Sequence, residues 1–169
     1  VANSLRRGMR IGHIGQRIDF FWTTIVNESE LLERFGVEIQ PLDMVTFIDH
    51  ARDRAERGRD GYLAEATQLA AEAEIEGFDD HDPLIRILAV RDQMLALAEE
   101  YGLDGLAVQD FNSLMDAMGT YCFFANSMVS DHLPLACESD IHGAISAVLT
   151  SRANFDAAPV FITDVTIRH

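Results

Sequence analysis

The stretch LPLACESDIHGAISAVL, residues 133–149, holds the two kinds of secondary structure from which an α/β fold is built. Its first half is a short apolar run, and a helical pattern follows, with Ser139 or Asp140 as the expected N-cap. The stretch predicts a buried strand that passes directly into an amphipathic helix, with the carboxylate of Glu138 at the junction. The apolar residues of the predicted helix recur at the spacing of one helix face: Ile141, Ala144, Ile145, Val148 and Leu149.

Four other segments predict strands, and helical patterns separate them. They are MRIGHIG (9–15), VEIQPL (37–42), DGLAVQ (104–109) and APVFITDV (158–165), which with LPLAC (133–137) make five. Because strands that alternate with helices form right-handed βαβ units, the pattern predicts a parallel sheet. The predicted fold class is α/β. It is a three-layer α/β/α, Rossmann-like (flavodoxin-like) single domain over residues 1–169, with a five-strand parallel sheet.

The segment NESELLERFG, residues 27–36, predicts the first helix. Asn27 or Ser29 is a suitable N-cap, and Gly36 is a suitable C-cap. The apolar residues that we expect on its inner face are Leu31, Leu32 and Phe35.

Residues of about 42–101 are helical in pattern almost throughout and predict a helical insert. A break at DDHDP makes Asp82 the expected N-cap of a last helix, with Pro83 at its first position and Gly102 at its end. Residues 111–118 predict a short helix, and 120–132 a loop with a short helix. One inner face before the break is expected to hold Val45, Ile48, Ala51 and Ala55, and a second one Leu63, Ala66, Leu69, Ala70 and Ala73.

The composition argues against several classes of partner. The formal net charge is −15, and every basic residue is arginine, so the surface disfavours nucleic acids and anionic membranes. The arginine-rich run 52–59 is interleaved with Asp53 and Glu56, which indicates a solvated helix face. No apolar run reaches the length of a membrane span, and the N-terminus lacks a secretory leader pattern. Cys122 and Cys137 lack the spacing of a zinc or thioredoxin motif, so we expect buried free thiols and a cytoplasmic protein.

Two carboxylates are expected at the carboxyl ends of strands, where parallel sheets place their functional residues. Glu138 follows the fourth predicted strand, and Asp164 follows the fifth. If these strands are neighbours, they lie roughly 5 Å apart, and the two charges repel unless a proton or a divalent cation is shared. Oxygen ligands of this kind suit Mg²⁺ or Mn²⁺. The alternatives are that Glu138 only complements the helix dipole and that Asp164 is a turn or cap residue.

Gln109 ends the third predicted strand. Its amide can donate to and accept from a hydroxylated ligand, or it can hydrogen-bond within its own loop. The GHIGQR turn after the first strand lacks the G-x-G-x-x-G spacing, and the second strand offers Gln40 in place of an acidic residue, which disfavours a dinucleotide site. His13 either reaches a neighbouring site or is a turn residue, and we favour the turn residue. His142 either supports Glu138 from the first turn of the helix behind it or is a surface residue, and we favour the surface residue.

The order of several motifs resembles that of the L-fucose isomerase family, including its L-arabinose isomerase-like branch. These motifs are IGHIGQR, NESELLERFGVEI, a strand that ends in Gln109, ANS, LPLACESDIHGA and FITDV. Glu138 and Asp164 are 26 residues apart, close to the family's interval between its two metal-ligand carboxylates. The likeness covers most of the chain and is weakest over 42–101.

The resemblance implies a three-domain ketol isomerase that interconverts an aldose and a ketose through an ene-diol with Mn²⁺, or another divalent cation such as Mg²⁺. Glu138 and Asp164 match the glutamate and aspartate that hold the metal, and we assign them jointly as ligands and acid/base groups. Gln109 matches a substrate-contacting glutamine.

The resemblance also implies that this chain is the middle domain of a longer protein and is inactive alone. The third metal ligand, a histidine, would come from a missing C-terminal domain, since His169 follows Asp164 too soon. The expected partners are a small-molecule sugar, the missing N- and C-terminal domains, and further copies in a homo-oligomer.

Two other functions fit the same sequence. One is a non-catalytic sugar-binding or regulatory flavodoxin-like module, which predicts a pocket at the same strand ends without metal dependence. The other is a structural role in which the segment 42–101 is an assembly surface. Mutations in that segment would then change oligomer size and leave chemistry unaffected.

Overall fold

A computed structural model describes residues 7–73, 81–155 and 158–160. Within these residues, four strands and seven α-helices are present. The strands are β1 (Met9–Ile14), β2 (Val37–Leu42), β3 (Gly105–Val108) and β4 (Leu135–Ala136). The helices are α1 (Glu28–Phe35), α2 (Met44–Arg57), α3 (Arg59–Glu72), α4 (Asp82–Tyr101), α5 (Ser113–Met118), α6 (Phe123–Ser130) and α7 (Ile141–Ala153).

The strands form one parallel sheet in the order β2-β1-β3-β4. The register pairs Ile11 with Gly105 and Leu106 with Leu135. This order is that of the first four strands of a flavodoxin-like sheet. The described sheet therefore has four strands and not the predicted five, and residues 161–165 of the predicted fifth strand lie outside the described residues.

Apolar residues on the two faces of the sheet form two clusters, which gives the predicted three layers. The larger cluster joins Ile14, Leu106 and Val108 to helices α2 and α4–α6. The smaller cluster joins Ile11 and Ala107 to α1 and α7. Successive residues of β3 thus alternate between the clusters, as the pleat of a strand requires.

Local sequence signals set several of the element ends as predicted. The Asn27 side chain accepts a hydrogen bond from the Glu30 amide at the start of α1, and Gly36 ends the helix in the left-handed conformation (φ 64°). Asp140 caps α7 in the same way, because its side chain accepts from the Gly143 amide at 2.9 Å. Pro41 is tolerated because β2 lies at the sheet edge.

The predicted helical segment 42–101 contains three helices with different degrees of burial. In α4, residues such as Leu84, Leu88 and Met94 are buried in the larger cluster. By contrast, Ala66 is the buried residue of α3, which packs mainly on α4 and away from the sheet.

Some predicted inner-face residues are exposed. Leu32 and Phe35 of α1 are 56% and 45% exposed, and Val45 of α2 is 65% exposed. Leu63 of α3 and Ala73, the C-cap of that helix, also face solvent. These predictions were wrong because a helix that packs by one edge buries a narrower stripe than its apolar pattern spans.

Two boundaries also differ from the prediction. Helix α4 already includes Asp82, and its N-cap is His81 without a side-chain cap bond. Strand β4 has two residues rather than five, because within the described sheet only Leu135 and Ala136 pair with β3. Across the described residues, no helix combines the length and the hydropathy that crossing a bilayer requires.

Candidate functional site

A cleft of about 930 Å³ opens at the carboxyl edge of the sheet. Loops that follow β1, β2 and β3 line it, and it lies beside the point where strand order reverses between β1 and β3. Ligands of open α/β sheets bind at such switch points. The polar and charged residues that line the cleft are Gln16, Arg17, Asp19, Asp43, Gln109, Asn112 and Ser113.

Gln109 lies in this cleft directly after β3, as predicted. Its Oε1 atom is buried and has no hydrogen-bond partner. Gly15, with φ of 86°, allows the loop after β1 to approach Gln109 closely, because a Cβ on residue 15 would lie only 2.9 Å from the Gln109 Cβ. A buried acceptor without a partner is costly, so this oxygen is suited to a ligand hydroxyl or cation.

Arg17 is the cation of the cleft, and its position is fixed by the chain around it. Its Nη1 donates to the carbonyl oxygens of Ile18 and Asp19 at 2.7 and 2.8 Å. The guanidinium lies 5.6 Å from the centre of the Trp22 ring. Sequence reasoning gave Arg17 no role, since a single arginine in a turn carries no specific signal.

Glu138 lies at the β4–α7 junction, as predicted, and its backbone is unusual. Glu138 and Ser139 both adopt the left-handed conformation, with φ of 61° and 58°. Residues other than glycine rarely adopt this conformation, because it costs about 1–3 kcal/mol per residue. Residues that do adopt it cluster at functional sites. The adjoining Ser139 amide donates to the Val108 oxygen at 2.9 Å, and its hydroxyl donates to the Gln16 oxygen at 3.2 Å.

Asp110 is the residue at this edge that sequence reasoning missed. It is 0% exposed. Its Oδ1 accepts the Glu138 amide at 3.1 Å, and its Oδ2 accepts the Asn126 side-chain amide. The available signal was its position directly after a buried strand, beside Gln109.

His13 on β1 is half-buried, and its Nε2 is buried without a hydrogen-bond partner. Burial lowers the pKa of its imidazole, and the nearby carboxylate of Glu28 opposes this shift. Burial therefore favours the neutral form of the imidazole. It belongs to a strand rather than to a turn, so its interpretation as a turn residue was wrong. His142 is exposed, as expected.

The predicted metal pair is only half described. Asp164 and His169 lie outside the described residues, so the distance from Glu138 to Asp164 is untested. Among the residues that the structure describes, no group of three or more His, Cys, Asp or Glu side chains is arranged to hold a metal ion.

The two cysteines differ in exposure. Cys122 is buried as predicted, but Cys137 is exposed because it leaves β4 for the surface loop, so the prediction of two buried thiols was wrong. The Cys137 sulfur nevertheless lies 3.4 Å from the Asn126 side-chain nitrogen. Desolvation and the Asp110 carboxylate raise the pKa of the Cys137 thiol to about 12.

We expect Cys137 to react slowly with iodoacetamide at pH 8, in spite of its exposure, because only the thiolate is nucleophilic. Its labelling rate should rise about tenfold per pH unit up to about pH 11, since its pKa is about 12. Mass spectrometry of the Cys137 peptide measures this rate. Asp110→Asn removes a carboxylate that raises the pKa and should accelerate labelling. Fast labelling of the unchanged protein at pH 8 would contradict the expectation.

No protein-family model matches the chain. The chain is similar to a curated sugar isomerase, the sulfoquinovose isomerase of Alkalicoccus urumqiensis, at 25% identity over 155 residues. The match covers 90% of this chain and 34% of that protein. The chain therefore spans about a third of the length of the relative that it matches.

Proposed function

We propose that this chain is the α/β middle domain of a metal-dependent aldose–ketose isomerase of the L-fucose isomerase type. The observation that carries the proposal is the strained carboxylate residue Glu138 at the carboxyl edge of a parallel sheet. The similarity to a sugar isomerase along 90% of the chain supports the reaction class.

Isomerisation of an aldose to a ketose moves one proton from C2 to C1 and a second proton from O2 to O1. The reaction needs a base that removes the C2 proton and an acid that returns a proton at C1. Glu138 and Asp164 are proposed as these acid/base groups. Gln109 is proposed to bind a sugar hydroxyl, because its buried Oε1 has no partner of its own.

Carboxylate oxygens suit a hard divalent cation, Mn²⁺ or Mg²⁺, and Glu138 is the one of the two proposed carboxylates that lies among the described residues. Glu138 and Asp164 would hold it, with a histidine from another domain as the third ligand. When bound, the cation supplies Lewis-acid stabilisation of the negative charge that forms on the sugar oxygens. The buried Gln109 oxygen is independent support for a polar ligand here, since the surrounding residues leave it unpaired.

The relative is about three times as long as this chain, and we propose that this chain works together with further domains. The proposed partners are the N- and C-terminal domains of the parent polypeptide and further copies of it. The isolated chain is expected to be inactive.

The test is turnover in deuterated water by the parent polypeptide. Ene-diol chemistry should convert an aldose, drawn from a panel that includes sulfoquinovose, to its ketose with solvent deuterium incorporated at C1. Treatment with EDTA should abolish this conversion, and added MnCl₂ should restore it. NMR of the sugar follows both product and deuterium. Sugar binding without conversion or deuterium uptake would favour the non-catalytic module instead.

A further inference from the structure

We propose that Asp110 is a positioning residue, which holds Glu138 in place for the isomerisation by anchoring its backbone. The inference rests on the proposed function of Glu138. Asp110 itself is not expected to touch the sugar or the metal, because both of its oxygens already accept hydrogen bonds from the protein.

The first step of the argument is the geometry of the anchor. The Asp110 Oδ1 accepts the Glu138 amide at 3.1 Å, and the two residues are 28 positions apart in the sequence. The bond therefore joins the loop after β3 to the loop after β4. The Asn126 side chain, from α6, donates to the other oxygen and fixes the plane of the carboxylate.

The second step is the conformation that the anchor maintains. Glu138 and Ser139 are consecutive left-handed residues without glycine, so this backbone relaxes unless other bonds hold it. Asp110 holds the Glu138 amide, and the Val108 carbonyl holds the Ser139 amide at 2.9 Å. Since the backbone sets the direction of the Cα–Cβ bond, these bonds determine the direction in which the Glu138 side chain leaves the main chain.

The third step is the cost of the anchor. Asp110 is 0% exposed, and the described partners of its carboxylate are neutral groups, two amides and the Cys137 thiol, rather than a cation. Burying a carboxylate in this way is costly. A buried acceptor of this cost is explained if the bonds that it accepts are needed, and one of these bonds holds the Glu138 backbone.

Asp104 provides a matched control at the opposite end of the strands, directly before β3. Its Oδ2 accepts the Arg10 amide at 2.8 Å, and its other oxygen pairs with Arg152. Both aspartates therefore hold a distant backbone amide with a carboxylate next to β3. Of the two, only Asp110 holds an amide beside the cleft. Comparing substitutions of the two aspartates therefore separates a general loss of stability from a loss of positioning of Glu138.

The experiment compares Asp110→Ala, Asp110→Asn and Asp104→Ala in the parent polypeptide. Hydrogen–deuterium exchange of the peptide around Glu138, Mn²⁺ affinity by titration calorimetry, and kcat are measured for each. For Asp110→Ala we expect at least tenfold faster exchange at Glu138 and a loss of about 10- to 100-fold in both Mn²⁺ affinity and kcat. KM for the sugar should change less than kcat.

Asp110→Asn keeps an acceptor for the Glu138 amide, and its own amide can donate to the buried, unpaired Asn126 Oδ1. It should therefore retain slow exchange and most of the Mn²⁺ affinity and kcat. Asp104→Ala should lower the melting temperature without changing exchange at Glu138 or kcat.

The inference is overturned if Asp110→Ala leaves exchange at Glu138 and kcat unchanged, or if Asp110→Asn is as damaging as Asp110→Ala. Failure of the proposed function has a different signature. In that case the unchanged parent polypeptide converts no aldose, or Glu138→Gln itself retains full kcat, whatever the exchange data show for the Asp110 variants.

Discussion

Replacing Glu138 with glutamine in the parent polypeptide is expected to lower kcat by roughly 10²- to 10⁴-fold, the usual contribution of a general acid or base. Glutamine has nearly the same size and keeps the amide that Asp110 accepts, so the backbone of the loop is preserved. Its side chain can neither take up nor return a proton in the reaction and is a poorer cation ligand. Steady-state kinetics in the presence of saturating MnCl₂ measure the loss.

The matched control is Glu100→Gln. Glu100 is exposed near the end of α4, at the amino end of the sheet. Its replacement by glutamine is the same chemical change, made far from the cleft. It should leave kcat within about twofold. A Glu138→Gln variant that keeps more than a third of kcat would remove Glu138 from the mechanism and leave only the similarity to a sugar isomerase.

Leu106→Ala is expected to lower the free energy of unfolding by about 2–5 kcal/mol, the range measured for buried leucine truncations. Leu106 is 0% exposed on the central strand β3, in the larger cluster. Its Cδ2 lies 2.7 Å from the point where Gly12 would carry a Cβ. Gly12 therefore has no side chain that can fill the cavity, which favours the upper part of the range. Urea unfolding followed by circular dichroism measures the change.

Leu32→Ala is the control for this prediction, because it is the same substitution on helix α1 at 56% exposure. It should change the free energy of unfolding by less than about 0.5 kcal/mol, as surface substitutions usually do. Equal losses for the two variants would contradict the assignment of Leu106 to the core and of Leu32 to the surface.

The candidate site was only partly predictable. The sequence placed Glu138 at a strand–helix junction and Gln109 at a strand end because apolar periodicity and caps are local signals. It did not indicate that Asp110 anchors Glu138, since that bond spans 28 residues and depends on β3 and β4 being neighbours. The exposure of Cys137 was missed for a related reason. Only two of the five predicted residues of β4 form the strand, and Cys137 lies after them in the loop.

The sequence by itself determined the alternation of strands and helices and the caps at Asn27, Gly36 and Asp140, because each of these depends on contacts within about four residues along the chain. Only the tertiary structure decided the strand order, the exposure of Leu32 and Phe35, and the left-handed backbone at Glu138 and Ser139. The physical reason is that these features depend on which distant segments pack together. Hydrogen bonds and apolar contacts between such segments can outweigh local preferences by several kcal/mol.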